Sequence, residues 1–299
     1  MAALWWAGPA QVWAAARGAD WRWIGASVVL VLIDRVLMAY RWLALLRPVL
    51  RPPAPSPRAI IRVFFVTGYL GFFLPGIGGD AVRTYALNRL AVPVSDAFAS
   101  VFVDRLLSIV AMVLMAIVGV FVSRDLMADR GIVAGLAAMI VLCTGGLLLV
   151  FSPFAGKFSL AVARWLRWSP LERIADAAVS GVSQYARHHG VLAGVFAGSI
   201  VVQILRVLQA VCLGWALALT VPIGVYFAFV PVILIVMVLP ISINGIGTGQ
   251  IAFVALFTRA GVSAADAFTL SVLYLALGLI GSLPGGILYL FDPKERRTA

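Results

Sequence analysis

Charge is the scarcest ingredient of this 299-residue chain: 12% of the residues are Asp, Glu, Lys or Arg, while 63% are hydrophobic. Soluble domains carry about 25% charged and about 45–50% apolar residues, so the composition excludes a water-soluble enzyme and leaves no polar segment of domain length. Cysteine is limited to Cys143 and Cys212, both inside apolar spans. They read as small core residues, and no disulfide framework or metal site is implied. The only histidines, His188 and His189, are neighbours in a basic turn without a cysteine or carboxylate at ligand spacing, which favours a solvated turn over a metal centre. No Ser, His and carboxylate grouping and no nucleotide-binding motif occurs, so catalysis has little support. The first twenty residues lack a charged n-region before an unbroken apolar run, because Gly8, Pro9, Gln11, Arg17 and Asp20 interrupt it. That pattern argues against a cleaved signal peptide, and Trp5, Trp6 and Trp13 fit an interfacial helix instead.

What is present is a series of apolar runs. A spanning helix needs about 20 mostly apolar residues, and five windows qualify: 23–46, 95–122, 131–151, 191–219 and 263–290. The net charge of +11 clusters beside these runs, which points to orientation and contact with anionic headgroups rather than to nucleic acid. Genome base composition and a preference for bidentate phosphate contacts both produce the bias toward arginine. Basic excess marks the 47–62 connector, the amphipathic 152–190 segment and the tail with Lys294, Arg296 and Arg297, whereas the 123–130 and 220–224 loops have none. The positive-inside rule then puts the C-terminus in the cytoplasm of an inner-membrane, multi-pass protein.

Two glycine breaks interrupt the pattern. The first reads Leu74-Pro75-Gly76-Ile77-Gly78-Gly79-Asp80-Ala81-Val82-Arg83, and the second Leu239-Pro240-Ile241-Ser242-Ile243-Asn244-Gly245-Ile246-Gly247-Thr248-Gly249-Gln250. Gly-Ile-Gly recurs at a spacing of 169 (76 to 245), Asp-Ala-Phe at 170 (96 to 266) and Arg-Val-Leu at 171 (35 to 206). Three matches in one order predict a duplicated unit. The apolar arms flanking each break are too short to span, which predicts two re-entrant hairpins around a lumen or pocket. The fold expected is therefore an all-α polytopic membrane protein, one integral domain over 1–299. It is an inverted repeat of 1–130 and 131–299 with two re-entrant glycine-broken helical hairpins.

The breaks also hold the candidate binding residues. Asp80 and Arg83 share a face at the start of a short helix, behind Gly76, Gly78 and Gly79, where backbone amides can approach a phosphate. Asp80 acting only as a cap paired to Arg83 is the simpler alternative. Asp104 and Arg105 fall early in the second span, while Asp34, Arg35 and Arg206 fall deep in matched spans. Intramembrane charges default to functional sites. Gln203, Arg206 and Gln209 form a polar stripe, for which a cavity wall and interhelical hydrogen bonds are both open readings. Asn244, Gly245, Gly247 and Gln250 are the second break's counterparts.

The combination of Leu74-Pro75-Gly76-x-Gly78-Gly79-Asp80-x-x-Arg83, Asp104-Arg105 and Leu239-Pro240-Ile241-Ser242-x-x-Gly245-x-Gly247 resembles the flippase-like family named after the transmembrane domain of lysylphosphatidylglycerol synthase. The resemblance covers nearly the whole chain. It implies a membrane domain of two inverted repeats that handles polar lipids, with relatives acting beside glycosyltransferases. The soluble aminoacyl-transferase domain of bifunctional members has no counterpart before Ala299, so no synthetic activity and no cofactor are expected. Thr248 and Gln250 stand where many relatives have charged residues, and the first repeat lacks the opening span that 131–151 gives the second. That leaves a shortened member or a start placed too late. The function expected is a lipid flippase or transporter with an anionic or zwitterionic, phosphate-bearing headgroup as its partner. The alternative is an accessory subunit presenting a lipid-linked substrate to a glycosyltransferase or lipid-modifying enzyme. An embedded transferase would have only Asp34, Asp80 and Asp104 to draw on.

Overall fold

Helix boundaries follow the breakers and caps already visible in the chain. In the computed structural model the described residues are 18–74, 78–122, 188–238, 242 and 244–291, with 131, 134, 135, 137, 138, 141 and 185. Gly76, the tryptophan-rich start, the 123–130 loop, most of the 131–151 span with Cys143, nearly all of the 152–190 segment before His188, and the basic tail lie outside them. Among the described residues the regular elements are all helical: α1 (Trp21–Leu46), α2 (Pro57–Phe72), α3 (Gly78–Asn88), α4 (Val94–Val122), α5 (His189–Ala216), α6 (Ile223–Val238), α7 (Thr248–Phe257) and α8 (Ala264–Leu290). Asp20 caps α1, its Oδ1 accepting the Arg22 N–H at 2.9 Å. Ser56 caps α2 ahead of Pro57, and Ser263 caps α8 by accepting the Asp266 N–H at 3.1 Å.

Four helices are long and apolar enough to cross a membrane: α1 with the 3-10 turn after it, α4, α5 and α8. They correspond to four of the five windows expected, the fifth lying mostly outside the described residues. α1 shows which solvent they suit. Val29, Leu32, Ile33 and Val36 face outward, while Asp34 and Arg41 are buried. Apolar outside and charged inside is the polarity of a helix in lipid, and the chain is a multi-pass membrane protein.

The shorter helices form two antiparallel pairs. In the first, Gly71 meets Gly79 and Thr67 meets Arg83, so α2 and α3 run in opposite directions. A Cβ on either glycine would lie 2.9 Å from the other's Cα, so only glycine permits this backbone approach. In the second, Phe229 packs on Phe257, while Met237 packs on Gly245 and Gly249, which makes α6 and α7 antiparallel too. Asn244, Gly245 and Gly247 have φ of 49°, 78° and 91° at its tip, values that glycine and asparagine tolerate best.

Packing partners come in exchangeable sets. α1 lies along α5; α2 packs on α8 as α6 packs on α4; α3 packs on α4 as α7 packs on α8. Trp23 touches Trp215, Asp34 faces Arg206 and Arg41 bonds Ser199, so α1 and α5 are antiparallel along their whole length. Two apolar clusters result, one around Trp42, Phe64 and Leu87, the other around Tyr226, Phe229 and Phe257.

Overpacking a tight helix contact costs about 1–3 kcal/mol. Gly79→Val should therefore lower the thermal midpoint in detergent, followed by tryptophan fluorescence. Gly68→Ala should leave it unchanged, because a Cβ there meets nothing within 4 Å. Equal midpoints for Gly79→Val and wild type would contradict the close approach of α2 and α3.

Candidate functional site

A cavity of about 290 Å³ opens where α1–α6 and α8 converge. Ligand pockets run from about 300 to 1,000 Å³, so the space is at the small end of that range. Its walls carry the pairing seen in the fold. Asp104, Arg105, Ser108 and Met112 line it from α4, and Tyr274, Leu275, Gly278 and Ser282 line it from α8, each pair 170 residues apart. The α4 wall carries charge, while the α8 wall is neutral.

Each carboxylate of the cavity has a cation of its own. Asp34, 2% exposed at its side chain, faces Arg206 Nε at 3.6 Å near the middle of the α1–α5 seam. Asp80 accepts from Arg105 Nε at 2.8 Å. Asp104 is held by Arg41 Nη2 at 2.9 Å, with side chains 8% and 2% exposed. Arg41 also donates to Ser199 Oγ at 2.7 Å and Ser108 Oγ at 3.0 Å, tying α1, α4 and α5 together. An unpaired charge at mid-membrane costs about 2.5–3.5 kcal/mol on insertion scales, which explains why the carboxylates are matched.

Two arginines of the wall are left over. Arg83 lies over the rings of Trp42 and Phe64, at 5.1 and 4.7 Å from their centroids, and its Nε reaches Thr67 Oγ1 at 3.4 Å. Arg35 lies on the same helix as Asp34, and its Nε is buried without an acceptor. Among the described residues neither has a carboxylate at ion-pair distance.

The expected residues divide accordingly. Arg35, Gly79, Asp80, Arg83, Asp104, Arg105, Arg206 and Asn244 are brought together on the cavity wall, and Gln209 of the polar stripe joins them. Gln203 is buried away from it. Gly78, Gly245, Gly247 and Gln250 are not on the wall either, and their tasks are local. Gln250 Oε1 accepts the Gly247 N–H at 2.6 Å and closes the start of α7. The simple pair of Asp80 with Arg83 is corrected: α3 packs against α4, so Asp80 turns to Arg105 and Arg83 turns to the aromatic pair. Arg41 escaped the sequence reading because, beside Trp42 at the end of a span, it resembles an interface anchor. The intramembrane Asp104 was the signal that a buried cation had to exist somewhere.

The family model described as the lysylphosphatidylglycerol synthase TM region matches residues 1–285. No curated protein and no solved structure matches the chain.

Removing one partner of a buried ion pair costs about 3–5 kcal/mol, while exposed pairs are worth about 0–1 kcal/mol. Arg41→Met should therefore destabilise strongly, Arg105→Met should scarcely do so, and Arg41→Met with Asp104→Leu should recover most of the loss. Denaturant midpoints of the purified variants check that order.

Proposed function

Because the chain belongs to the family of the lysylphosphatidylglycerol synthase TM region, we propose that it is a lipid flippase or transporter that takes a polar, phosphate-bearing headgroup into the central cavity. Acyl chains stay in the surrounding lipid, for which the cavity has no room. One observation carries the reading: Arg35 and Arg83 line the cavity with positive charge that no described carboxylate answers. Guanidinium groups bind phosphate oxygens through forked, charge-assisted hydrogen bonds. Asp80, Asp104, Arg105 and Arg206 hold the wall in shape, and Gly79 and Asn244 keep backbone close to the ligand.

The transport path follows from treating the two sets of four helices as inverted repeats. Supporting this are the exchangeable packing partners and the antiparallel course of α1 and α5, which carry the matched Arg35 and Arg206. Equivalent helices that run antiparallel are related by an axis in the membrane plane, the arrangement in which substrate sites lie at the midplane. At 16 residues each, α2 and α6 reach about 24 Å, short of a core about 30 Å thick. The α2–α3 and α6–α7 pairs then act as re-entrant hairpins, the first entering from the cytoplasm and the second from the opposite face of the inner membrane. The tail lies in the cytoplasm, and the reading assigns no bond-making step to the cavity.

Two measurements test this. With other cysteines removed, Asn88→Cys should react with an impermeant maleimide from the cytoplasmic side and Ala264→Cys from the outside; labelling from one side only would end the inverted arrangement. A charge-assisted hydrogen bond is worth about 1.5–3 kcal/mol, so Arg35→Gln and Arg83→Gln should each slow translocation of headgroup-labelled phosphatidylglycerol in proteoliposomes about tenfold or more. Unchanged rates in both variants would refute the cavity as the route.

A further inference from the structure

The three ion pairs of the cavity are not equally tight. Asp80 and Asp104 meet their arginines at 2.8 and 2.9 Å, within the range of N–H···O hydrogen bonds. Asp34 and Arg206 stand 3.6 Å apart, and Asp34 Oδ1 is buried without a hydrogen-bond partner among the described residues. Asp104 Oδ1 lacks a well-directed bond as well, but Arg41 stays in contact with it. Arg206 gives an N–H to Met38 Sδ at 3.2 Å, and a thioether is a weak acceptor.

The helices are tied on both sides of that gap. Trp23 on Trp215 and the Asp20 N–H on the Ala216 carbonyl, at 2.9 Å, fasten one end of the α1–α5 seam, and Arg41 on Ser199 fastens the other. Asp34 is therefore kept beside the cavity in a loose pair. Facing it are Arg35 on α1, Arg206 on α5 and Tyr274 on α8. α2 puts no charged residue on the cavity wall, and the α4 charges Asp104 and Arg105 are engaged with Arg41 and Asp80.

Two arginines and one carboxylate give this group a net charge of +1. A phosphate that forks onto Arg35 and Arg206 takes the cation away from Asp34 and leaves an anion in its place. A buried carboxylate without its cation and next to another anion favours its protonated form. Proton and phosphate then bind together, and by linkage each tightens the other.

Building on the lipid-handling function proposed above, we propose that the chain is a proton-coupled carrier, in which Asp34 takes up a proton as a phosphate-bearing headgroup binds at Arg35 and Arg206. The proton enters from water on the loading side and returns to water on the release side as the headgroup leaves, and no bond of the lipid is broken. A proton gradient then supplies the direction that a cavity alone lacks.

Proton counting tests this. The full chain in detergent is titrated calorimetrically with short-chain phosphatidylglycerol, whose phosphodiester exchanges no proton near neutral pH, at one pH in buffers of different ionisation enthalpy. Uptake approaching one proton per lipid is expected; it should vanish in Asp34→Asn and persist in Asp34→Glu. Where Asp34→Asn fails to fold, wild-type proteoliposomes decide. An inward proton gradient should speed inward translocation of headgroup-labelled phosphatidylglycerol severalfold, and a protonophore should abolish the gain. Phosphatidylglycerol bound without proton exchange, or moved at a rate that ignores the gradient, overturns the coupling and leaves lipid handling intact. Uptake that survives in Asp34→Asn removes Asp34 as the site. Neither binding nor translocation of the lipid overturns both readings.

Discussion

A carboxylate held inside a membrane protein has to have a cation beside it, and that constraint arranges the centre of this molecule. Asp34 and Asp104 lie where water is scarce, Asp80 is half-buried, and each recruits an arginine from a different helix. The pairs join α1 to α5, α3 to α4 and α1 to α4, so satisfying charge also fixes how the helices cross. Coulomb attraction in a low dielectric is strong but returns little net stability once desolvation is counted. Its larger effect is on which arrangement is allowed, since a shifted helix would strand a charge.

The same requirement separates structural arginines from the remaining ones. Arg41, deep in its pair with Asp104 and bonded to two serines, serves the scaffold. Arg83 lies against the Trp42 and Phe64 rings, with its Nε toward Thr67. Stacking of this kind is worth about 0.5–2 kcal/mol and keeps the guanidinium in place without neutralising it. The α8 wall has no such equipment. Tyr274 and Leu275 line the cavity from α8 while Asp104 and Arg105 line it from α4, so the charge of the interior is lopsided.

Much of this was legible in the sequence because lipid imposes simple patterns. Apolar runs gave α1, α4, α5 and α8, the glycine breaks located both short antiparallel pairs, and the capping spacing at Ser263 located the start of α8. The cavity charges at positions 35, 80, 83, 104, 105 and 206 stood out by their rarity. Partner choice was not legible. Asp80 finds Arg105 across 25 positions instead of Arg83 one turn away, because packing of α3 on α4 decides the matter and one-dimensional spacing cannot express it. Likewise Gly245, Gly247 and Gln250 have the composition of a binding loop, while the positive φ of the two glycines and the Gln250 bond to Gly247 shape the turn between α6 and α7.

The inward charges of α1 also bear on how the chain is made. On insertion scales Asp and Arg cost about 2.5–3.5 kcal/mol each at a helix centre, and each Leu, Ile or Val returns about 0.3–0.6. With Asp34 and Arg35 at its middle, α1 is close to indifferent to lipid when it emerges alone. Ser199, which receives Arg41, is encoded 158 residues later. At about 5–20 residues per second that interval lasts about 8–30 s. During synthesis, then, the buried charges of α1 are without their partners until α4 and α5 have been made, so this span is at home in the bilayer only once they arrive.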